Sequence, residues 1–266
     1  MRYPTRKAIS VAVCEALDWR RPDGRLKDMS CRVALLRMQD DGLIRLPAPS
    51  NSRTQGRAVV QLTVAASPRS VRVGTRRDLG PLALRPTQGR GEVALWREFV
   101  TRYHYLGYTP MAGAQIRYFA RTADGEIVAL LGFGASAWKL ASRDQFIGWN
   151  PEQRQARLHL VVNNARFLIL PWIQMKNLAS TLLGQAARQL PDDWQRLYSY
   201  RPVLLETMVE RDRFLGTSYK AANWTRVGET AGRGKMDRYN LRALPVKDVY
   251  VYPLEPQFRS PLQAPL

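Results

Sequence analysis

The sequence predicts an α/β (α+β) protein in two parts, a small helix-turn-helix module followed by a mixed-sheet domain. Three observations carry that prediction. Apolar residues recur at helical spacing twice before residue 41; strand-like and helix-like runs alternate after residue 92; and a stretch with neither pattern, rich in Ser, Pro, Gly and Arg, lies between them. The 266 residues are 45% hydrophobic and include 7 Trp and 11 Tyr, which is enough apolar material to build a core and excludes wholesale disorder.

Taken in order, residues 5–17 place Ile9, Val13, Ala16 and Leu17 on one helical face. Pro22-Asp23-Gly24 signals a turn, Ser30 caps a second helix whose Val33, Leu36 and Met38 face inward, and Asp40-Asp41-Gly42 ends it. Leu43 to Pro47 then reads as a short strand. Helix, turn, helix and extended wing is the layout of a winged helix-turn-helix module over residues 1–48. In that layout the second helix presents Lys27, Arg32 and Arg37, while Arg20, Arg21 and Arg25 in the preceding turn are available to phosphates. A solvated basic face is the competing reading. Residues 49–91 read as a basic linker with one strand at 58–65, and Arg69, Arg72, Arg76 and Arg77 extend the basic track.

The second part, residues 92–245, opens with a helix over 92–106 that carries Leu95 and Phe99 inward and stops at Gly107. Two strand-like runs flank Asp124-Gly125, a hairpin signal. RLHLVVNNARFLIL reads as a strand, PWIQMKNLASTLLGQAARQL as a helix carrying Leu178, Leu182, Leu183 and Ala186, RPVLLETMVE as a strand, RFLGTSYKAANW as a helix and RVGETAGRGKMDRY as a hairpin-like end. Residues 246–266 read as a tail.

That element order resembles the fold of the GCN5-related N-acetyltransferases. Members of that superfamily cradle the pyrophosphate of acetyl-CoA in a Gln/Arg-x-x-Gly-x-Gly/Ala loop, which here reads Gln174-Met175-Lys176-Asn177-Leu178-Ala179. Many also carry Tyr-x-x-x-Gly-Phe after the next strand, which here reads Tyr219-Lys220-Ala221-Ala222-Asn223-Trp224. The resemblance makes Gln174, Asn177 and Ala179 the candidate cofactor contacts and puts Tyr219 at the position of the general acid, with a core tyrosine as the alternative. Asn replaces Gly at both glycine positions and tolerates positive φ best among the other residues, but it adds a side chain where phosphate would approach. Acetyl-CoA is therefore the weaker of two cofactor expectations; Mg²⁺ is the other.

A second resemblance is longer. RYHYLGY (102–108), RDQFIGW (143–149), LHLVVNNARFLILPW (158–172), PVLLETMVE (202–210), GTSYKAANW with GETAGRGKMD (within 216–237), and the early WRRPDGRLKDMSCR look like the DruA family, named from the Druantia anti-phage system and found in proteins of mobile elements. The resemblance implies a bacterial, DNA-associated context in phage defence or transposition, and supplies no residue-by-residue mechanism.

Three carboxylates within those motifs, Asp144, Glu206 and Asp237, form a candidate Mg²⁺ set for strand cleavage. Glu206 stands out because LLETMV is otherwise apolar, so its carboxylate needs a partner or a job. Arg143 beside Asp144, and Lys235 and Arg238 beside Asp237, support the opposite reading of structural ion pairs. His104 suits a general base or a proton shuttle to a tyrosine nucleophile such as Tyr105; a packed histidine is the alternative. His159 reads as a structural residue in a strand. Asn163-Asn164 interrupts an apolar run and suggests a bulge or an edge facing a cleft, where amides can read base edges or a substrate carbonyl; a polar bulge that satisfies backbone groups is the competing reading. Arg233, Lys235 and Arg238 among three glycines suit phosphate, and Trp138, Trp149, Trp172 and Trp224 offer stacking surfaces or core.

Charge ties these readings together. Lys and Arg number 41 against 22 Asp and Glu, a formal net charge of +19, of which +11 falls in residues 1–91. A polyanionic partner follows, and DNA is preferred over an anionic membrane because the chain shows no basic amphipathic tail or lipidation motif. Two cysteines, Cys14 and Cys31, and two histidines exclude a Cys/His zinc cluster and argue against a disulfide framework. No apolar run reaches membrane-spanning length and the start lacks a signal-peptide core, so a cytoplasmic address is expected. The leading expectation is a DNA-binding, DNA-processing factor that cleaves or nicks DNA. The alternatives are acyl transfer to a DNA base, and a non-catalytic scaffold for a partner such as a helicase.

Overall fold

The computed structural model describes residues 5–22, 24–49, 60–111, 113–232 and 244–265. The chain divides into two compact units, Met1–Val59 with Tyr198–Tyr200, and Val60–Leu197 with Arg201–Leu266.

In the first unit, α1 (Arg6–Ala16) begins where the Thr5 side chain accepts the Ala8 N–H at 3.1 Å. α2 (Asp28–Asp40) follows a tight bridge between Arg20 and Leu26. The expected Ser30 cap is displaced: Lys27 is the N-cap, and α2 carries Asp28 in its first turn, where a carboxylate faces the helix dipole favourably. Cys14, Cys31 and Leu35 form the core, with Ile9, Val13, Trp19, Leu26, Ile44 and Leu46 packed around them. Both thiols are free and buried. The inward face of α2 is thus Cys31 and Leu35, and Val33, Leu36 and Met38 are exposed, contrary to the sequence expectation; two small thiols let the helices meet on that side. Ala16 and Leu17 are exposed as well, because α1 ends there. The expected wing strand is absent, since side chains take its backbone groups: Gln39 Oε1 accepts the Leu46 N–H at 3.2 Å and Arg6 Nε donates to the Pro47 carbonyl at 2.6 Å.

The second unit contains β1 (Arg72–Thr75), β2 (Leu82–Pro86), α3 (Gly89–Tyr103), β3 (Gln115–Thr122), β4 (Ile127–Ala135), α4 (Ala141–Ile147), α5 (Pro151–Arg157), β5 (Val161–Ile169), β6 (Ile173–Lys176), α6 (Leu178–Tyr198), β7 (Leu204–Glu210), α7 (Thr217–Ala221), β8 (Thr225–Glu229), β9 (Lys247–Pro253) and α8 (Arg259–Gln263). Among the described residues seven strands form one mixed sheet in the order β2-β3-β4-β5-β7-β9-β8, and β1 pairs in parallel with β6. The Asp124-Gly125 hairpin forms as expected, with Gly125 at φ +88° linking β3 to β4.

Four assignments change. The segment read as linker contributes β1 and β2, and β2 is the sheet edge, paired with β3; its alternating residues are too few to separate from a loop by pattern alone. The strand expected at 58–65 is not formed where described: Val64–Ala66 is a 3-10 turn, and residues 58 and 59 lie outside the described residues. The segment read as a tail contains β9, which lies between β7 and β8 with Val249, Tyr250 and Val251 fully buried. His159 sits in a 3-10 turn, Leu158–Leu160, just ahead of β5, and not in a strand.

The core between sheet and helices is tight. A Cβ on Gly132 of β4 would come within 2.9 Å of the Trp96 ring of α3, which is itself fully buried. Gly216 is bound more strictly still: it sits at φ +66° ahead of α7, and a Cβ there would lie 2.3 Å from Tyr250 Oη. Gly216→Ala is expected to cost at least about 1–3 kcal/mol, through left-handed backbone strain plus that clash. A lowered urea midpoint with an unchanged slope checks it; an unchanged midpoint would show that α7 docks in some other way.

Candidate functional site

The site grows from a fault in the sheet. β4 and β5 lose register between Gly132 and Phe133, whose partners are Arg166 and Asn164, so Ala165 is the extra residue of a bulge. On its other side β5 pairs with β7 in parallel through only Val161↔Leu204, Val162↔Leu205 and Asn163↔Glu206. Beyond that point side chains span the gap: Thr207 Oγ1 donates to the Asn164 carbonyl at 3.1 Å. Asn164 is 4% exposed, and its Nδ2 donates to the carbonyls of Gly132 (3.3 Å) and Arg166 (3.2 Å). Its Oδ1 accepts the Tyr219 hydroxyl from α7 at 2.7 Å. Burial pushes the Tyr219 phenol up to about 12, with Thr207 acting against the shift and Tyr105 adding to it. Tyr219 is boxed in by Phe167, Trp224 and Tyr250. The bulge expected at Asn163-Asn164 is therefore present, and Asn164, not Asn163, engages the phenol. The Asn163 Oδ1 is buried with no hydrogen-bond partner among the described residues.

His104, Tyr105 and Arg166 lie next to this cluster. His104 caps the end of α3, its Nδ1 accepts the Leu106 N–H at 3.2 Å, and its ring stacks on Tyr105 at 4.9 Å. Burial, with the positive charge of Arg166 second, lowers its pKa to about 4, so the ring is neutral at pH 7. Burial and Glu210 raise the Tyr105 phenol, opposed by Arg166 and Arg213. Sequence reasoning had singled out His104, Tyr105, Asn164 and Tyr219 separately; the fold brings them together and adds Arg166 and Thr207. Arg166 is visible in the sequence only as one arginine among many.

The carboxylates behave differently. Glu206 is fully buried; it accepts from Arg143 Nη1 at 2.7 Å and from the Ala137 N–H at 2.9 Å. Asp144 accepts from Arg143 Nε at 2.8 Å, Trp149 Nε1 at 3.0 Å and Arg154 Nη1 at 3.3 Å. Arg143, itself fully buried, stands between the two and donates also to the Ala137 carbonyl. Burial pushes the Glu206 carboxyl above its usual range, against the pull of Arg143. The metal expectation is corrected on these grounds: Glu206 and Asp144 are joined by a guanidinium, which occupies the position a shared cation would need. No group of three metal-ligating side chains occurs among the described residues, and Asp237 lies outside them.

The loop expected to hold a CoA pyrophosphate keeps its turn, with Asn177 at φ +62°, and Asn223 likewise sits at +63°. It does not keep a bare cradle. Gln174 to Lys176 lie in β6, paired along one edge with β1, and Asn177 is exposed ahead of Leu178 and Ala179 in α6. These residues fit a CoA pyrophosphate poorly.

The N-terminal basic residues are partly committed. Arg20 pairs with Asp18 at 2.5 Å and Arg32 with Asp28 at 2.7 Å, and Arg21 reaches 4.0 Å from Asp28. Arg21, Arg25 and Arg37 are exposed, and Lys27 is half-buried at the α2 cap. Arg76 donates to the Gly80 carbonyl while Arg77 is exposed. Arg233, Lys235 and Arg238 lie outside the described residues. Of the four tryptophans weighed for stacking, Trp149, Trp172 and Trp224 are core and Trp138 is exposed.

Two expectations follow. Arg143→Met strands the Glu206 charge in the core and should cost about 3–5 kcal/mol, whereas Arg143→Met/Glu206→Leu should recover most of the loss, a coupling read by chemical denaturation. The folded His104 pKa lies below its ordinary 6.5, so the unfolded chain takes up the proton first as pH falls. Its stabilising effect is complete above pH 6.5 and is lost toward pH 4; thermal melts should fall over that window and the fall should shrink in His104→Gln.

Comparison with known proteins bears on the family. No curated protein sequence matches the chain. Among solved structures, it is similar to a spermidine N-acetyltransferase from Vibrio cholerae in complex with CoA and spermine (15% identity over 64% of this chain and 94% of that one, TM-score 0.40). It is also similar to the spermidine/spermine N-acetyltransferase SpeG from Vibrio cholerae in complex with manganese ions (13% identity, 66% and 94% covered, TM-score 0.42). The family model described as Druantia protein DruA matches residues 74–243, across the bulge, the Tyr219 cluster and the Arg143 ion pair, and the chain therefore belongs to the Druantia protein DruA family.

Proposed function

We propose that this protein is a DNA-binding and DNA-processing component of an anti-phage defence system, and that its reactive group is the Tyr219 phenol. One observation carries the reading: a protonated phenol is held on a buried amide, Tyr219 Oη to Asn164 Oδ1 at 2.7 Å, where β5 bulges and parts from β7. With its pKa raised to about 12, Tyr219 is a proton donor at neutral pH, suited to protonating a leaving group. This arrangement supports group transfer to or from DNA over hydrolysis on paired carboxylates, because Glu206 and Asp144 are already bound to Arg143. The net charge of +19 and the exposed Arg21, Arg25, Arg37 and Arg77 support DNA as the partner. No helix of the described residues is long and apolar enough to cross a membrane.

Tyr219→Phe removes the proton and keeps the ring. In cells carrying the complete defence system it should reduce protection in plaque assays by about 10²-fold or more, the scale of a lost general acid, while DNA affinity measured by anisotropy stays within about twofold of wild type. Full protection by the variant would remove Tyr219 from the chemistry.

A further inference from the structure

Arg166 is half-buried and meets no carboxylate among the described residues. Its Nη1 donates to the Ala165 carbonyl at 2.7 Å and its Nη2 to Thr109 Oγ1 at 2.7 Å, its Nε is buried without a partner, and no ion pair forms to it among the described residues. Arg97 repeats the pattern: its guanidinium lies 5.4 Å from the Tyr108 ring centre, its Nε is buried and unpartnered, and it too lacks an ion pair among the described residues. Two partly buried cations without a counter-charge cost free energy unless an anion completes them. Burial accordingly lowers the Arg166 pKa, and the nearest compensating groups are the phenols of Tyr105 and Tyr108.

Beside Arg166 is an aromatic surface open to solvent. Tyr105 (38% exposed) meets Phe214 (44% exposed) edge to face at 5.1 Å, and Arg213 lies over the Tyr105 ring at 5.0 Å. Rings of this size left exposed in two adjoining loops, next to uncompensated cations, match the chemistry of an unpaired nucleotide: phosphate on guanidinium, base on an aromatic face. A closed duplex offers phosphates but no free base face, so it uses only half of the surface.

We infer that Arg166 and Arg97, with Thr109, hold a backbone phosphate of single-stranded DNA whose base stacks on Tyr105 and Phe214, which presents the strand at the gap where Tyr219 sits. This rests on the reading of the chain as a DNA-acting protein and adds the substrate form and the residues that select it. It also reassigns Tyr105 from nucleophile to stacking platform.

The test uses the full chain and fluorescence anisotropy with a labelled 12-nucleotide oligothymidylate and a blunt duplex of equal length. Wild type should bind the single strand more tightly than the duplex. Tyr105→Leu and, independently, Phe214→Ala should weaken single-strand binding by about tenfold, the scale of one lost base stack, and leave duplex affinity unchanged. Arg166→Gln should reduce the slope of log affinity against log salt for the single strand by about 0.7, one phosphate contact. Equal losses on both DNA forms, no loss in either aromatic variant, or displacement of the oligonucleotide by polyglutamate at equal charge would overturn the inference. The two readings fail separately. Protection that survives Tyr219→Phe, with single-strand binding still dependent on Tyr105, removes the reactive phenol and keeps the platform; unchanged single-strand binding in the aromatic variants, with protection lost in Tyr219→Phe, does the reverse.

Discussion

The parallel ladder between β5 and β7 stops after Asn163↔Glu206, and the rest of the site is built on what that interruption leaves over. Strands that part expose backbone carbonyls and amides, which must be bonded elsewhere or stay costly. Here side chains do the bonding. Thr207 takes the Asn164 carbonyl, the Asn164 amide takes two carbonyls across the bulge, and its remaining oxygen is left for a phenol. Just before the parting point, the Glu206 side chain leaves the ladder for the Ala137 N–H and Arg143, which ties α4 to β7 and fixes one wall of the gap. Tyr219 is held by structure on both sides, and the Gly216 turn against Tyr250 sets where α7 begins.

Electrostatics divides the molecule's arginines into two populations. Arg143, Arg154, Arg211 and Arg226 meet carboxylates at close range and serve the fold. Arg166 and Arg97 do not, and they are the ones beside the aromatic loops and the neutral His104. A net charge spread evenly would bind any polyanion loosely; cations held half out of water, with fixed geometry, can discriminate one form from another.

Much of this was legible from residues alone, for identifiable reasons. Two amides inside an apolar run point to a bulge or an edge, and the bulge is what forms; Asn at two glycine positions of a known loop pattern points to positive φ, which both adopt. Asp124-Gly125 is a hairpin by turn chemistry. What stayed hidden depended on partners distant in sequence. Nothing in LRMQDDGLIRLP says that Gln39 and Arg6 will take the backbone groups a wing strand would need, and β9 reads as a tail until its neighbours β7 and β8 are known. Glu206 was recognised as a carboxylate in need of a partner, but the choice between a cation and Arg143 turned on a contact 63 residues away.

The position of β9 has a consequence for how the protein is made. β8 precedes β9 in sequence yet lies outside it in the sheet, so β7 has no neighbour on that side until residues 247–253 have left the ribosome. A nascent chain stalled or cleaved before that point presents an apolar, unpaired edge of seven residues, the kind of template that recruits other chains. Tyr219 shares that dependence, because it rests on Tyr250 of the late-arriving strand. The site is therefore assembled at the end of synthesis, and an incomplete copy carries no ordered Tyr219 cluster.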